Sequence, residues 1–259
     1  MSFFKHNYTK AGPGVDPDEP RKKGVKRFVE ILLRDSWDMF KLNLLFLMCI
    51  VPSLVAFSLG FLNVFSNLMF IFTLIATIPI GSALTALIFC LTKMLRDDPG
   101  YIWPDFKKSF SKTIKKATIP GMVYAAFFYS QIIILSFSTL NIPEYSLFIV
   151  TTFIILNLLF GMLMPYVFLQ IAYSDAKLII IIKNSFLICF ANTLRSILGA
   201  FTGSLLYIII IIFLPVSLFF LPVIFAYGIA FSWLLCLFWI WPVFDKQFSV
   251  EKVLREMKT

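Results

Sequence analysis

LNLLFLMCIVPSLVAFSLGFLNVFSNLMFIFTLIATIPIGSALTALIFCLT, from Leu42 to Thr92, runs for 51 residues without one Asp, Glu, Lys, Arg or His. A helix needs about 20 mostly apolar residues to cross the hydrocarbon core of a bilayer. This stretch therefore holds two crossings, divided by the turn-forming Asn63, Ser66 and Asn67. Three further charge-free runs follow: Ala117 to Pro143, Tyr145 to Ser174 and Ser196 to Phe244. The first two each hold one crossing, and the last holds two, divided between Pro215 and Pro222. Six spans are expected, at about 42–61, 68–92, 118–139, 146–173, 197–215 and 222–243.

Composition agrees. Of 259 residues 59% are apolar, 17% aromatic and 14% charged, and the mean hydropathy is +0.88. A soluble domain carries about 25% charged residues, and 31 Phe cannot all hide in one water-soluble core of this size. The pattern excludes a soluble enzyme, a disulfide scaffold and a disordered tail protein. The expected fold class is an all-α polytopic membrane protein.

Cations decide the orientation. Residues 1–41 hold nine Lys or Arg, 93–116 seven, 175–195 three and 245–259 four, which is all 23. With six spans these segments share one side, and Glu144 alone marks the other. Cationic loops stay in the cytoplasm, so both termini are expected inside a bacterial cell membrane. No cleaved signal peptide is expected, since 41 polar, charged residues precede the first long apolar run.

Residues 1–24 read as a flexible cytoplasmic segment, 25–244 as a helical membrane domain and 245–259 as a cytoplasmic tail. Within the domain, 25–41 reads as a separate interfacial helix. Val25, Val29, Leu33, Trp37 and Phe40 form its apolar face, with Arg27, Glu30, Arg34, Asp38 and Lys41 opposite. A cation-x-Ser-aromatic pattern occurs three times: Arg34 to Trp37, Lys107 to Phe110 and Lys183 to Phe186. Each copy precedes a pair of spans, which suggests three repeats of interfacial helix plus helical hairpin. Arg34, Trp37, Lys107, Phe110, Lys183 and Phe186 are thus the candidate contacts to membrane or partner. The basic 107–116 stretch suits anionic membrane lipid. Residues 177–190 are too apolar all round for a wet interface, and read as buried or covered by a partner.

Chemistry is sparse. Cys49, Cys90, Cys189 and Cys236 lack metal-ligand spacing and read as small buried hydrophobes. His6 is the sole His. The spans contain no charged residue of the kind that ion-coupled transporters use as relays. Asn43, Gln131, Asn157 and Gln170 read as groups joining helices. Gly199 and Gly203 form a GxxxG, and Ala56 with Gly60 a looser version; both read as helix-packing sites. No catalytic residue, cofactor, metal or nucleic-acid module is expected.

Several segments resemble the YesL-like family of Gram-positive bacterial membrane proteins. They are Gly12 to Gly24, Phe28 to Leu32, Trp37 to Phe46, Ile78 to Ala86, Tyr101 to Phe110 and Lys183 to Phe186. Beyond about residue 200 only hydrophobicity aligns. The resemblance implies association with carbohydrate ABC transporters, whose permeases carry a cytoplasmic Glu-Ala-Ala loop ending in Gly. The corresponding Tyr173-Ser-Asp-Ala-Lys-Leu-Ile-Ile180 lacks both features. It implies a non-catalytic accessory subunit that binds the permease subunits. The alternatives are a six-helix substrate-capture component and an independent membrane-organising or regulatory protein. For capture, only Asn63, Asn67, Asn141 and Glu144 are available on the outer side.

Overall fold

No breaker separates Trp37 from Leu44, and the chain stays helical across the point where its charges stop. In the computed structural model, which describes residues 24–62, 66–98, 100–140, 146–212 and 222–256, α1 spans Val25–Phe61 as one 37-residue helix. The 25–41 stretch, expected as a separate interfacial helix, is continuous with the helix that follows it. A loss of charge marks a change of solvent, not of backbone; only Gly, Pro or a cap would end the helix there.

The chain continues through α2 (Ser66–Ala76), α3 (Ile78–Arg96), α4 (Ile102–Leu140), α5 (Ser146–Tyr173), α6 (Leu178–Ala191) and α7 (Thr193–Ile212). A π-helical turn, Ile224–Gly228, leads into α8 (Ile229–Phe248), and α9 (Val250–Glu256) ends the described chain. No strand occurs among the described residues. Five helical stretches are long and apolar enough to cross a membrane: Val25–Phe61, Leu68–Arg96, Ile102–Ile134, Thr151–Tyr173 and Phe225–Phe248. The pair α6 and α7, bent by 100° at Asn192, supplies a sixth if it counts as one span. The protein is an all-α, multi-pass membrane protein. Pro215 and the ends of the expected fifth span at 213–215 lie outside the described residues, as do Asn63, Asn141 and Glu144.

Helix α3 is the axis of the bundle. Ala83, Leu84, Ala86, Leu87, Ile88 and Leu91 are each fully buried. They are joined by Tyr166, Phe168 and Leu169 of α5 and by Leu234, Leu237 and Ile240 of α8. The approach of α3 to α4 is backbone to backbone. A Cβ on Gly81 would lie 1.9 Å from the Ala117 carbonyl oxygen, and one on Gly121 would lie 2.2 Å from the Gly81 Cα. Gly81 and the pair Ala117/Gly121 make the close helix crossing that small residues permit in lipid.

The outer surface is apolar, as lipid requires. Met48, Val51 and Val55 of α1, Phe70, Ile71 and Leu74 of α2, and Ile154 and Ile155 of α5 are all exposed. Gly199 and Gly203 face α8, where added Cβ atoms would meet Ile240 at 2.9 Å and Cys236 at 3.0 Å. Gly60 lies against Met69 and Phe70 of α2.

Polar side chains cross-link the interior. Asn43 is fully buried; its Nδ2 donates to the Phe225 carbonyl at 2.5 Å and its Oδ1 accepts from the Ala230 amide at 2.9 Å. Phe225 lies within the π-turn and Ala230 just after it, where the regular i→i−4 ladder is displaced. Gln170 donates to Ser185 at 2.7 Å, and Asn157 to Gln131 at 3.2 Å. Each bond ties two helices together in a medium where an orphaned amide would be costly.

Candidate functional site

The ends of α1, α3, α4, α5 and α8 meet in one charged assembly. Helix α3 closes at Asp97, held in the left-handed region at φ 60°. The bend aims the Asp97 carboxylate at α1, where Arg27 and Arg34 both bond it. Arg34 also donates to the Met94 carbonyl at 3.0 Å and Arg27 to that of Leu95 at 3.4 Å, so the exposed carbonyls at the α3 end are covered by cations. Burial would raise the Asp97 carboxyl, but the hydrogen bonds from Arg34 and Arg27 outweigh it and hold the group below its ordinary value.

On the other side of the same turn, Lys93 pairs with Asp105 of α4 at 2.7 Å. Gly100 permits this closure, because a Cβ there would stand 2.4 Å from the Asp105 Oδ2 and 2.6 Å from the Lys93 Nζ. Arg96, 6% exposed, lies between two aromatic rings: its guanidinium carbon is 5.4 Å from the Tyr173 centroid and 5.3 Å from that of Trp241. Its Nε pairs with Asp98 at 2.9 Å. The Tyr173 hydroxyl shares a 2.5 Å hydrogen bond with Thr92. Trp241 Nε1 donates to Glu251 at 3.3 Å, which ties α9 to the same cluster.

A cleft of about 700 Å³ opens beside the clasp, bordered by Arg34, Asp38, Lys93, Asp97, Tyr101 and Asp105. Its carboxylates are engaged by cations. Cys90 lines it too, with its side chain buried in α3. No group of three or more His, Cys, Asp or Glu that could hold a metal ion occurs among the described residues. The arrangement braces helix ends.

The six contacts expected from the three cation-x-Ser-aromatic copies fall into unlike settings. All three cations are exposed, but Arg34 is held by Asp97 and Asp35. Trp37 is 63% exposed and stacks on Phe40, with the Lys41 Nζ 5.6 Å from its ring. Phe110 is half-buried against Phe106, while Phe186 is exposed beside Phe190. Ser36 is exposed, but Ser109 and Ser185 are buried. Copies one and two lie within continuous helices; copy three lies in α6, before the 100° bend.

The apolar face expected on residues 25–40 is also turned the other way from a soluble amphipathic helix. Val25, Leu33 and Trp37 point outward, and Arg27 and Ile31 are buried. In α6, Ile181, Ser185, Ile188 and Cys189 are buried, while Ile179, Ile182, Phe186, Leu187 and Phe190 are exposed, with Lys183 among them.

Sequence reading placed Arg27 on a charged helix face and Tyr173 in a loop, but did not connect them with Arg96, Asp97 and Trp241, which lie far apart in the chain. It also passed over Gly81 and Ala117/Gly121, whose four-residue spacing was available as a signal. No family model, curated protein or solved structure matches this chain.

Proposed function

We propose that this protein is a non-catalytic accessory subunit of a carbohydrate ABC importer in the bacterial cytoplasmic membrane. In this reading it binds the permease subunits, with both termini and the charged clasp in the cytoplasm. The observation that carries it is α6: a 14-residue helix with one buried face and one apolar exposed face, bent sharply away from α7. Lys183 stands among the exposed Ile179, Phe186, Leu187 and Phe190. Hydrocarbon disfavours a cation in that position, whereas a permease helix with an acceptor opposite Lys183 satisfies it. The resemblance of Gly12–Gly24, Trp37–Phe46 and Tyr101–Phe110 to the YesL-like family suggests the importer context, and the 23 cations, which share one side when α6 and α7 count as a sixth span, support the orientation.

The test is a pulldown of the tagged chain in mild detergent from cells growing on mixed glycans. Sugar permeases should co-purify, and Phe186→Ala should weaken their recovery by about 2 kcal/mol or more, as loss of a buried interface anchor does. Lys112→Ala, on α4, should leave recovery intact. Equal recovery with both variants removes the α6 docking surface. Recovery of the chain alone, with bound glycan, favours the substrate-capture reading.

A further inference from the structure

Helix α4 carries a second, separate surface. Lys108, Lys112, Lys115, Ile119, Val123 and Ala126 follow one another at steps of four and three, so they form a single seam along one side of the helix. All six are exposed. The apolar end of the seam, with Ile119 at 62% and Val123 at 48% exposure, has the character of a lipid-facing surface. The basic end continues it without rotation. Helical rise places Lys116, Lys115 and Lys112 about 4.5, 6 and 10 Å beyond Ile119, within the polar headgroup layer of about 5–8 Å plus the reach of a lysine stem. A second contact fixes the same level. The Nζ atoms of Lys112 and Lys116 each lie 3.6 Å from Asp175, in the turn that closes the apolar helix α5.

From this juxtaposition we infer that Lys112, Lys115 and Lys116 form a binding surface for the headgroups of anionic phospholipids, with Lys108 as an outer cation and Asp175 as an internal counter-ion. The charge sign selects anionic over zwitterionic lipid, and continuity with the apolar seam selects a lipid over a soluble phosphate. Asp175 already occupies part of the cationic field, so its carboxylate competes with the lipid phosphate.

The test uses the full chain in mild detergent, titrated separately with phosphatidylglycerol and phosphatidylcholine, with bound lipid counted by native mass spectrometry. Phosphatidylglycerol should bind at least about tenfold more tightly, each lysine contributing up to about fivefold. K112Q/K115Q/K116Q should reduce the preference to about onefold, while the same three changes to Arg should retain it. Asp175→Asn should strengthen phosphatidylglycerol binding by about two- to fivefold. Inorganic phosphate should displace no more lipid than chloride of equal ionic strength. An unchanged preference in the Gln variant, or weaker binding in Asp175→Asn, overturns the site. Displacement by inorganic phosphate beyond the chloride control overturns the lipid assignment. The lysines are on the surface, so an unaltered thermal midpoint of the Gln variant checks that its fold is intact.

Discussion

Helices α1 and α4 are built on one plan and use it in opposite ways. Each is nearly 40 residues long, begins with a charged stretch, holds a proline in its interior and packs on α3. In α1 Arg27 turns inward and, together with the more exposed Arg34, grips Asp97, while Val25, Val29 and Leu33 face out. In α4 the acid turns inward, Asp105 to Lys93, and the lysines face out. A helix at a membrane boundary can satisfy its charges against protein or against headgroups. These two helices show both solutions side by side on one anchor.

The strongest way to break the pairing is at the anchor. Gly81→Ala would place a Cβ 1.9 Å from the Ala117 carbonyl oxygen, and neither backbone can yield without moving a whole helix. A loss of about 3 kcal/mol or more is expected, beyond the usual range for overpacking, seen as a lost or much lowered thermal midpoint in detergent. Gly203→Ala, whose Cβ would meet the Cys236 side chain at 3.0 Å, should cost less.

Next in size is the α1 clasp. Asp97→Asn removes the shared acceptor of Arg27 and Arg34, and Arg27 is only 9% exposed. Because Asp97 itself is partly open to solvent, the loss should be about 1–2 kcal/mol, less than for a fully buried pair. Acid should act in the same direction. Folding holds the Asp97 carboxyl below its ordinary value, so its contribution is complete above that ordinary value and disappears as pH falls through the lower, folded one. A thermal-midpoint profile against pH should therefore fall at the acid end, and Asp97→Asn should lose that part of the slope. The smallest effect belongs to α4: Lys108→Gln, Lys112→Gln and Lys115→Gln should each change stability by less than about 0.5 kcal/mol, because those charges face outward.

The sequence made the charge-free runs legible because bilayer thickness acts on consecutive residues, and Leu42–Thr92 needs no partner to be read. It made α1's two faces legible as well, through the spacing of Val25, Val29 and Leu33. It did not reveal which face meets protein. In water an apolar stripe turns inward; beside lipid it can turn outward, and the pattern is the same. The boundary at Lys41–Leu42 misled for a related reason, since charge changes there while helix propensity does not. Arg27 and Asp97 stand 70 positions apart, and only the fold of α1 onto α3 brings them together. The Gly81–Gly121 crossing has a weaker signature, the four-residue spacing of Ala117 and Gly121, than the explicit GxxxG of Gly199 and Gly203.

The opposed orientation of the two charged halves is tested most directly by one cysteine scan. Single cysteines would be placed at 25–37 and 105–116, after the four native cysteines are changed to Ala, and labelled in open membranes with water-soluble and lipid-soluble maleimides. In α1, positions 25, 29 and 33 should take the lipid-soluble reagent, while 27 and 31 stay protected. In α4, positions 108, 112 and 115 should take the water-soluble one. Water-soluble labelling at 27 and 31 with protection at 25, 29 and 33 would contradict the account, because it would turn the buried face of α1 outward.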